Sequence, residues 1–228
     1  MSDNKIGIIL MGLVDESTKD IVNEYENNFP DAELLFCTWK SQNVEDISCK
    51  TIQIDYPSFL KKKDEYVHPH AFTINISILQ AREALKCIDA DIILRSRSDL
   101  FIHNKEIFNI FLKNCDDSRI MVPYIYEQEK LVVVDYFQIG YKSVLEKYWN
   151  SQEYHDDNSE YITQEEYNTS NYLRYLNEKL DDWERLRKKY FFEADWQKIC
   201  KCEWTKLTLD INQQIKWKKR LYLESMKS

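Results

Sequence analysis

Apolar runs of strand length alternate with helical periodicities through the first part of the chain. The apolar, often β-branched runs lie at 5–10, 33–39, 51–54 and 92–94. They predict strands, while an amphipathic segment at 18–27 and a helical spacing of apolar residues at 78–88 predict helices between them. This alternation is typical of an α/β domain with a mostly parallel sheet covered by helices on both faces.

The pattern changes near residue 150. It predicts further helices at 104–114 and 141–149 and further strands at 120–122 and 131–134. An acidic, polar segment at 152–160 is typical of a surface loop. Beyond it, apolar residues at spacings of three, four and seven predict one buried helical face, formed by Leu173, Leu176, Leu180, Trp183 and Tyr190. We therefore expect an α/β core over 1–150 and a helical C-terminal extension over 151–228, packed on it as a single domain.

Composition narrows the class of protein. The chain has 228 residues, a formal charge of −8 and 43% hydrophobic residues, enough for one globular core. No run approaches the roughly 20 apolar residues of a membrane span, and the start MSDNK lacks the features of a signal peptide, so a cytoplasmic protein is expected. Six scattered cysteines without a CxxC pair indicate neither a zinc site nor a disulfide framework. The acidic balance disfavours nucleic-acid binding.

Glycine is scarce. Only Gly7, Gly12 and Gly140 occur, whereas average usage of about 7% would give roughly sixteen. A P-loop or a dinucleotide fingerprint needs several glycines at fixed spacing, because the backbone must approach the phosphates. A phosphorylated ligand would therefore have to be held by side chains or by a metal ion.

The stretch ADIILRSRSDLFI, at 90–102, ends a predicted core strand with three charges. In an extended strand Arg95, Arg97 and Asp99 share one face. Two guanidiniums can hold a diphosphate, and a carboxylate beside them can carry a divalent cation that bridges the same phosphates. The alternative is an internal ion pair at an exposed strand end. Ligands in sheets of this kind bind outside the carboxyl ends of the strands, which is where these charges are expected.

Candidate acid-base residues follow in two later segments. In LVVVDYFQIG, at 131–140, Asp135 comes directly after an apolar run and Gly140 is expected to supply a turn. Carboxylates at strand ends often act as acids or bases, and they also often cap helices. In ITQEEYNTSNYL, Glu165 and Glu166 precede a predicted helix, a position that the helix macrodipole also favours.

Two other polar groups are candidates for ligand contact. Asn75, Gln80 and Arg82 lie on or just before the helix that enters the charged strand, and they can hydrogen-bond a sugar or form only a solvated face. Near the C-terminus, four cations surround Trp217: Lys216, Lys218, Lys219 and Arg220. Such a basic-aromatic segment can rest on anionic lipid headgroups, and a plain docked helix is the alternative.

Taken together, RSRSD, the helix before it, DYFQIG and the downstream EEY resemble the WavE-type lipopolysaccharide-synthesis family, which belongs with glycosyltransferases of the GT-A fold. The resemblance covers roughly residues 5–180, and FCTW at 36–39 is similar to the ending of that family's second strand. Members carry Arg-Ser-Asp where most GT-A enzymes carry Asp-x-Asp. The resemblance therefore implies that Asp99 binds the metal or the donor diphosphate, and it places Asp135 in the acceptor or catalytic region.

The resemblance implies a metal-dependent glycosyltransferase that moves a sugar from a nucleotide-diphosphate donor to a growing bacterial surface polysaccharide. The nucleotide is expected over the ends of the strands that contain Leu10 and Thr38. Asp99 with Mn²⁺ or Mg²⁺, assisted by Arg97 and Arg95, would neutralise the departing diphosphate. The acceptor would be a glycan or a lipid-linked glycan, with peripheral membrane contact through the basic segment near the C-terminus.

The resemblance also implies a general base, and the sequence does not fix which residue it is. Asp135 or Glu166 is expected to take the proton from the acceptor hydroxyl, with Glu165 also open. The donor, the acceptor and the stereochemistry are not determined. Two other functions stay open: a nucleotide- or glycan-binding module without chemistry, and a metal-dependent phosphoesterase.

Overall fold

A computed structural model describes residues 4–56, 69–126, 131–154 and 162–205. In chain order the elements are β1 (Ile6–Met11), α1 (Thr18–Asn28), β2 (Glu33–Trp39), β3 (Lys50–Ile54), α2 (Pro69–Cys87), β4 (Ile92–Arg97), β5 (Leu100–Ile102), α3 (Ile107–Asn114), β6 (Ile120–Val122), β7 (Phe137–Tyr141), α4 (Lys142–Tyr148), α5 (Gln164–Tyr175), α6 (Trp183–Tyr190), β8 (Phe191–Glu193) and β9 (Cys202–Trp204). Seven strands form a sheet in the order β3-β2-β1-β4-β7-β6-β8, and β5 pairs with β9 in a second, two-stranded sheet.

The larger sheet is mostly parallel. β1 pairs in parallel with β2 and β4, β2 with β3, and β6 with β8, whereas β7 is antiparallel to β4 and β6. The expected α/β architecture is confirmed. The carboxyl ends of β1 to β4 lie at one edge of the sheet, which we call the carboxyl edge. Because β7 runs the other way, the residues just before β7 lie at the same edge.

Side chains that alternate along the strands build one hydrophobic core on each face of the sheet. Ile9, Leu35 and Ile93 belong to the core that includes residues of α2, α4, α5 and α6. Leu10 and Phe36 belong to the core on the opposite face, with residues of α1 and α3. Strands buried on both faces have no polar side, which is why β1 and β2 read as almost continuous apolar runs.

The structure corrects the element predicted at 131–134. Val133 makes only an isolated antiparallel bridge with Ile125, and the strand of this region is β7. Both stretches are apolar enough for a strand, but β7 finds a partner on each side, β4 and β6. Gly140, expected in a turn, lies inside β7, where a Cβ atom would lie 3.3 Å from the side chain of Leu145. A local apolar pattern does not determine which stretch pairs.

The C-terminal part differs from one continuous helical face. Within its described residues, 151–154 and 162–205, it forms two helices, α5 and α6, and the chain turns between them at Asn177, whose φ is +59°. It also supplies two strands that were not predicted, β8 beside β6 and β9 beside β5. Of the residues named from the apolar spacing, Leu173 and Tyr190 are buried. Leu176, Leu180 and Trp183 are partly buried against the same core, and Leu176 and Leu180 lie between the two helices.

Some predicted features lie outside the described residues. These are the basic segment with Lys216 and Arg220 and most of the loop at 152–160, of which only 152–154 is described. Within the part of the chain that the structure describes, no helix is both long enough and apolar enough to cross a membrane.

Gly12 is required where β1 ends beside β4. Its φ is +146°, and a Cβ atom there would lie 2.3 Å from Ser98 Oγ. Ser98 is fixed by its own contacts, because its backbone N donates to Met11 O at 2.9 Å and its Oγ donates to Leu13 O at 2.7 Å.

We expect Gly12→Ala to lower the free energy of unfolding by about 1–3 kcal/mol, the usual cost of a strained backbone position. Urea denaturation followed by circular dichroism measures this. Ser98→Ala in the same variant should recover only part of the loss, because it removes the close contact and leaves the backbone strain. A Gly12→Ala protein as stable as the native one would contradict this account.

Candidate active site

The carboxyl edge brings together four charged side chains that are separate in the sequence. Arg97 ends β4, Asp99 lies in the turn before β5, and Asp135 lies just before β7. The backbone N of Arg97 donates to the carbonyl of Tyr136 at 3.3 Å, which joins the start of β7 to the end of β4. Glu165 lies in the first turn of α5, near enough for its charge to interact with those of Asp135 and Arg97. We call these four side chains the charged cluster: Arg97, Asp99, Asp135 and Glu165.

Arg97 and Asp99 form a two-bond ion pair. Arg97 Nε donates to Asp99 Oδ1 and Nη2 donates to Oδ2, both at 2.8 Å. The strand ends at Arg97, and the turn through Ser98 places the two side chains side by side. The Arg97 side chain is 31% exposed, whereas that of Asp99 is only 7% exposed. Burial lowers the pKa of Arg97, but the hydrogen bonds and charge of Asp99 outweigh it and leave the pKa raised. The internal ion pair that the sequence left as the alternative is therefore present.

Arg95 lies beneath the cluster, in the core. Its side chain is 6% exposed, its Nη1 donates to the carbonyl of Asp135, and the same atom lies 4.0 Å from Asp135 Oδ2. The guanidinium stands over the ring of Trp149, with 4.7 Å between the guanidinium carbon and the ring centroid. Burial lowers the pKa of Arg95, and the charge of Asp135 opposes that effect. These contacts make Arg95 a brace between β4 and the segment before β7.

Asp135 and Glu165 form a pair of neighbouring carboxylates. Asp135 is buried and accepts a hydrogen bond from the side chain of Gln164. Burial, and after it the charge of Asp135, raise the pKa of Glu165 to about 7, while Thr163 and Arg97 act in the opposite direction. Near neutral pH, Glu165 is therefore poised between its two protonation states.

Glu166 differs from Glu165 although it is the next residue. Its backbone N donates to Thr163 Oγ1 at 3.2 Å, so Thr163 caps the helix. One of its carboxylate oxygens, Oε2, is buried without a hydrogen-bond partner among the described residues. Glu166 thus takes part in the start of α5 through its backbone.

The structure gives Asn75 and Arg82 partners outside the charged cluster. The Asn75 amide pairs with the backbone of Tyr154, donating to its O at 3.1 Å and accepting from its N at 2.7 Å. Arg82 donates to the side chain of Asn150 at 3.3 Å. Gln80 is buried, and its Nε2 has no hydrogen-bond partner within the described ranges. The described contacts of Asn75 and Arg82 thus join α2 to the segment after α4.

Two aromatic residues of the site were not predicted. Tyr136 lies between Asp135 and β7, and its ring centroid is 5.1 Å from that of Trp204. Burial, followed by the charge of Glu165, raises the pKa of Tyr136, which keeps its hydroxyl neutral. Trp204 comes from β9, with the guanidinium carbon of Arg97 5.1 Å from its ring centroid. The motif DYFQIG contains Tyr136, but no local pattern indicates Trp204.

A second aromatic group lies at the ends of β2 and β3. The Tyr56 ring lies 5.3 Å from that of Trp39 and stacks at 6.0 Å on that of Phe72, on α2. Tyr56 is 45% exposed. The three rings pack on one another and join α2 to the ends of β2 and β3.

The expected metal ion does not fit the described side chains. Across 4–56, 69–126, 131–154 and 162–205, no three His, Cys, Asp or Glu residues are grouped so that they could hold a metal. Asp99, expected to bind Mn²⁺ or Mg²⁺, instead shares both oxygens with Arg97. We therefore assign no step to a metal ion.

Comparison with known proteins finds solved structures of similar fold. No protein-family model and no curated protein matches the sequence. A mannosyltransferase from Pyrobaculum calidifontis, solved with GDP-Man and Mn²⁺, superposes with a TM-score of 0.50 at 7% identity and covers 84% of this chain. This chain covers 55% of that mannosyltransferase, so it spans little more than half of its length.

Two other solved structures are similar. A nucleotidyl transferase from Methanothermobacter thermautotroptrophicus gives a TM-score of 0.48 at 11% identity, over 84% of this chain and 87% of that one. A glycosyltransferase involved in the glycosylation of the major capsid of PBCV-1 gives 0.46 at 12% identity, over 84% and 83%. At such low identity the likeness shows the fold alone, which is α/β and GT-A-like. The resemblance to the WavE-type family stays a prediction.

Proposed function

We propose that this chain moves a sugar from a nucleotide-diphosphate donor to an acceptor hydroxyl. The observation that carries the proposal is the charged cluster at the carboxyl edge of a GT-A-like sheet. Sugar transfer needs a cationic group for the departing diphosphate and a base for the acceptor proton. Arg97 and Glu165 supply one group of each kind.

Arg97 is the cation of this proposal. It is the more exposed of the two arginines, and its bonds to Asp99 use Nε and Nη2. A guanidinium has five N–H donors, so further donors remain on Nη1 and Nη2 for phosphate oxygens. Arg95, which the sequence also made a candidate, supports the site through Asp135.

Glu165 is the base of this proposal. A general base works best when its pKa lies near the working pH, and the pKa of Glu165 is about 7. Asp135, a first choice from the sequence, is buried and tied to Arg95 and Gln164. We therefore assign Asp135 to raising the pKa of Glu165. Glu166, the next residue in α5, serves as the control for this assignment.

We place the nucleotide over the ends of β1 and β2, at the edge where ligands bind in sheets of this kind. The mannosyltransferase of the same fold was solved with GDP-Man, which supports a nucleotide-sugar donor. A bacterial surface polysaccharide as acceptor rests on the resemblance of RSRSD and DYFQIG alone. Membrane contact through the segment with Lys216 and Arg220 belongs to the same part of the proposal.

The proposal is tested by offering the purified protein a panel of nucleotide sugars with mixed glycan acceptors and following the products. Release of a nucleoside diphosphate with glycosylated acceptor is the expected result. Release of pyrophosphate from nucleoside triphosphates and sugar phosphates would show nucleotidyl transfer instead. Donor binding without any product would favour the binding module, for which the ion pair that occupies Asp99 is the supporting observation. Hydrolysis of simple phosphodiesters would favour the phosphoesterase.

A further inference from the structure

The segment 194–205, which we call the strap, is firmly attached beside the charged cluster. Its strand β9 pairs with β5, the strand that directly follows Asp99. Thr205 donates twice to the carbonyl of Asp99, from its backbone N at 3.1 Å and from Oγ1 at 3.2 Å. Asn104 donates to the carbonyl of Ile199 at 2.6 Å, farther along the strap. Trp204 is thus carried on a well-anchored element.

Trp204 and Asp99 hold the Arg97 guanidinium in two different ways. Asp99 bonds two of its nitrogens in the plane of the guanidinium, and Trp204 lies against it at a centroid distance of 5.1 Å. An aromatic ring attracts a cation through its quadrupole and offers a flat surface to a planar guanidinium. The combination fixes the orientation of Arg97 before any ligand arrives.

Orientation matters here because the site has no excess of positive charge. Arg95 and Arg97 are balanced by Asp135 and Asp99, with which they pair. Glu165 adds no positive charge in either protonation state. A diphosphate must therefore be held by directed hydrogen bonds from Arg97, and such bonds depend on a preorganised donor.

We infer that Trp204 is a positioning residue, which keeps Arg97 in the orientation that binds the donor diphosphate. This inference rests on the proposed function. The inference gives the strap a role at the site, because the strap carries the aromatic ring that contacts the Arg97 guanidinium. Trp204 acts through Arg97 and takes no part in proton transfer.

The test compares a nucleoside diphosphate with its nucleoside, because only the first has the group that Arg97 binds. The probe is whichever of UDP, GDP, CDP and ADP stabilises the native protein most against heat. In calorimetric titrations, Trp204→Leu should weaken diphosphate binding about 2- to 30-fold, the range of a cation–π contact, and leave nucleoside binding unchanged. Trp204→Phe keeps a ring and should retain most of the affinity. All titrations are run both with Mn²⁺ and with EDTA.

Two controls distinguish a loss of Arg97 positioning from a general loosening of the strap. Glu203→Gln changes the exposed neighbour on β9, which contacts His103, and should leave both affinities unchanged. In an Arg97→Gln background, Trp204→Leu should cause no further loss, because its effect passes through Arg97. Equal losses for diphosphate and nucleoside, the same loss in Glu203→Gln, or additive losses would overturn the inference. A native protein that binds none of the four diphosphates would instead overturn the proposed function.

Discussion

Replacing Glu165 by Gln is expected to lower the rate of sugar transfer by about 10²- to 10⁴-fold, the usual contribution of a general base. The amide keeps the size of the side chain and removes its ability to take a proton. Donor affinity should stay within about twofold, because the assigned contact is with the acceptor. Nucleoside diphosphate release under saturating donor measures the rate, and calorimetry measures the affinity.

The pH dependence of the native protein provides a separate check on Glu165. A base acts in its deprotonated form, so kcat/KM should rise about tenfold per pH unit below pH 7 and level off above it, since the pKa is about 7. Asp135→Asn removes the neighbouring charge that helps to raise this pKa, and the levelling-off should move to lower pH.

The raised pKa of Glu165 makes stability change with pH in the direction opposite to activity. The folded pKa of Glu165, about 7, lies above its ordinary value of 4.5, so the folded protein binds the proton more tightly than the unfolded chain does. The contribution of Glu165 to the free energy of unfolding is greatest below pH 4.5 and is lost as pH rises through 7. Glu165→Gln should remove that part of the pH dependence, as urea denaturation at several pH values will show.

Glu166→Gln is the matched control for Glu165→Gln, because it makes the same change one residue farther along α5. We expect it to retain transfer within a few-fold of the native rate. If Glu166→Gln abolished transfer and Glu165→Gln did not, the role of the base would pass to Glu166.

Arg95→Met is expected to lower the free energy of unfolding by about 3–5 kcal/mol, as breaking a buried ion pair commonly does. The change leaves the buried Asp135 without its nearby cation and the carbonyl of Asp135 without its donor. It also removes the stacking on Trp149. Urea denaturation at pH 7 measures the loss.

Arg174→Met is the control for Arg95→Met, because Arg174 is exposed on α5. A surface substitution of this kind usually changes stability by no more than about 0.5 kcal/mol. If Arg95→Met were equally mild and instead abolished donor binding, Arg95 would be a ligand of the donor, as the sequence suggested, and not a brace.

The central strands were predictable because their signal is local. A parallel strand buried on both faces needs an apolar side chain at nearly every position, so β1 and β2 are visible without knowing their neighbours. The charged end of β4 was visible for a related reason: Arg97 and Asp99 interrupt an apolar run where a strand has to end.

The sequence alone could not decide between similar local patterns. The run at 131–134 is as apolar as β7, but β7 is the stretch that fits between β4 and β6. Glu165 and Glu166 are both acidic residues in the first turn of α5. Adjacent helical residues point about 100° apart, so the placement of the helix decides which of them meets Asp135.

The amino-acid pattern thus established an α/β fold, the position of a charged site at the carboxyl edge of its sheet, and the acidic residues among which we propose a base. The three-dimensional arrangement decided their partners: Asp99 with Arg97, Asp135 with Arg95, and Trp204 with Arg97. The physical reason is range. The burial of side chains follows a period of two residues in a strand and 3.6 in a helix, so it can be predicted from residues that are close in the sequence. Thr205, in contrast, is 106 positions from Asp99 and contacts it only because β9 pairs with β5.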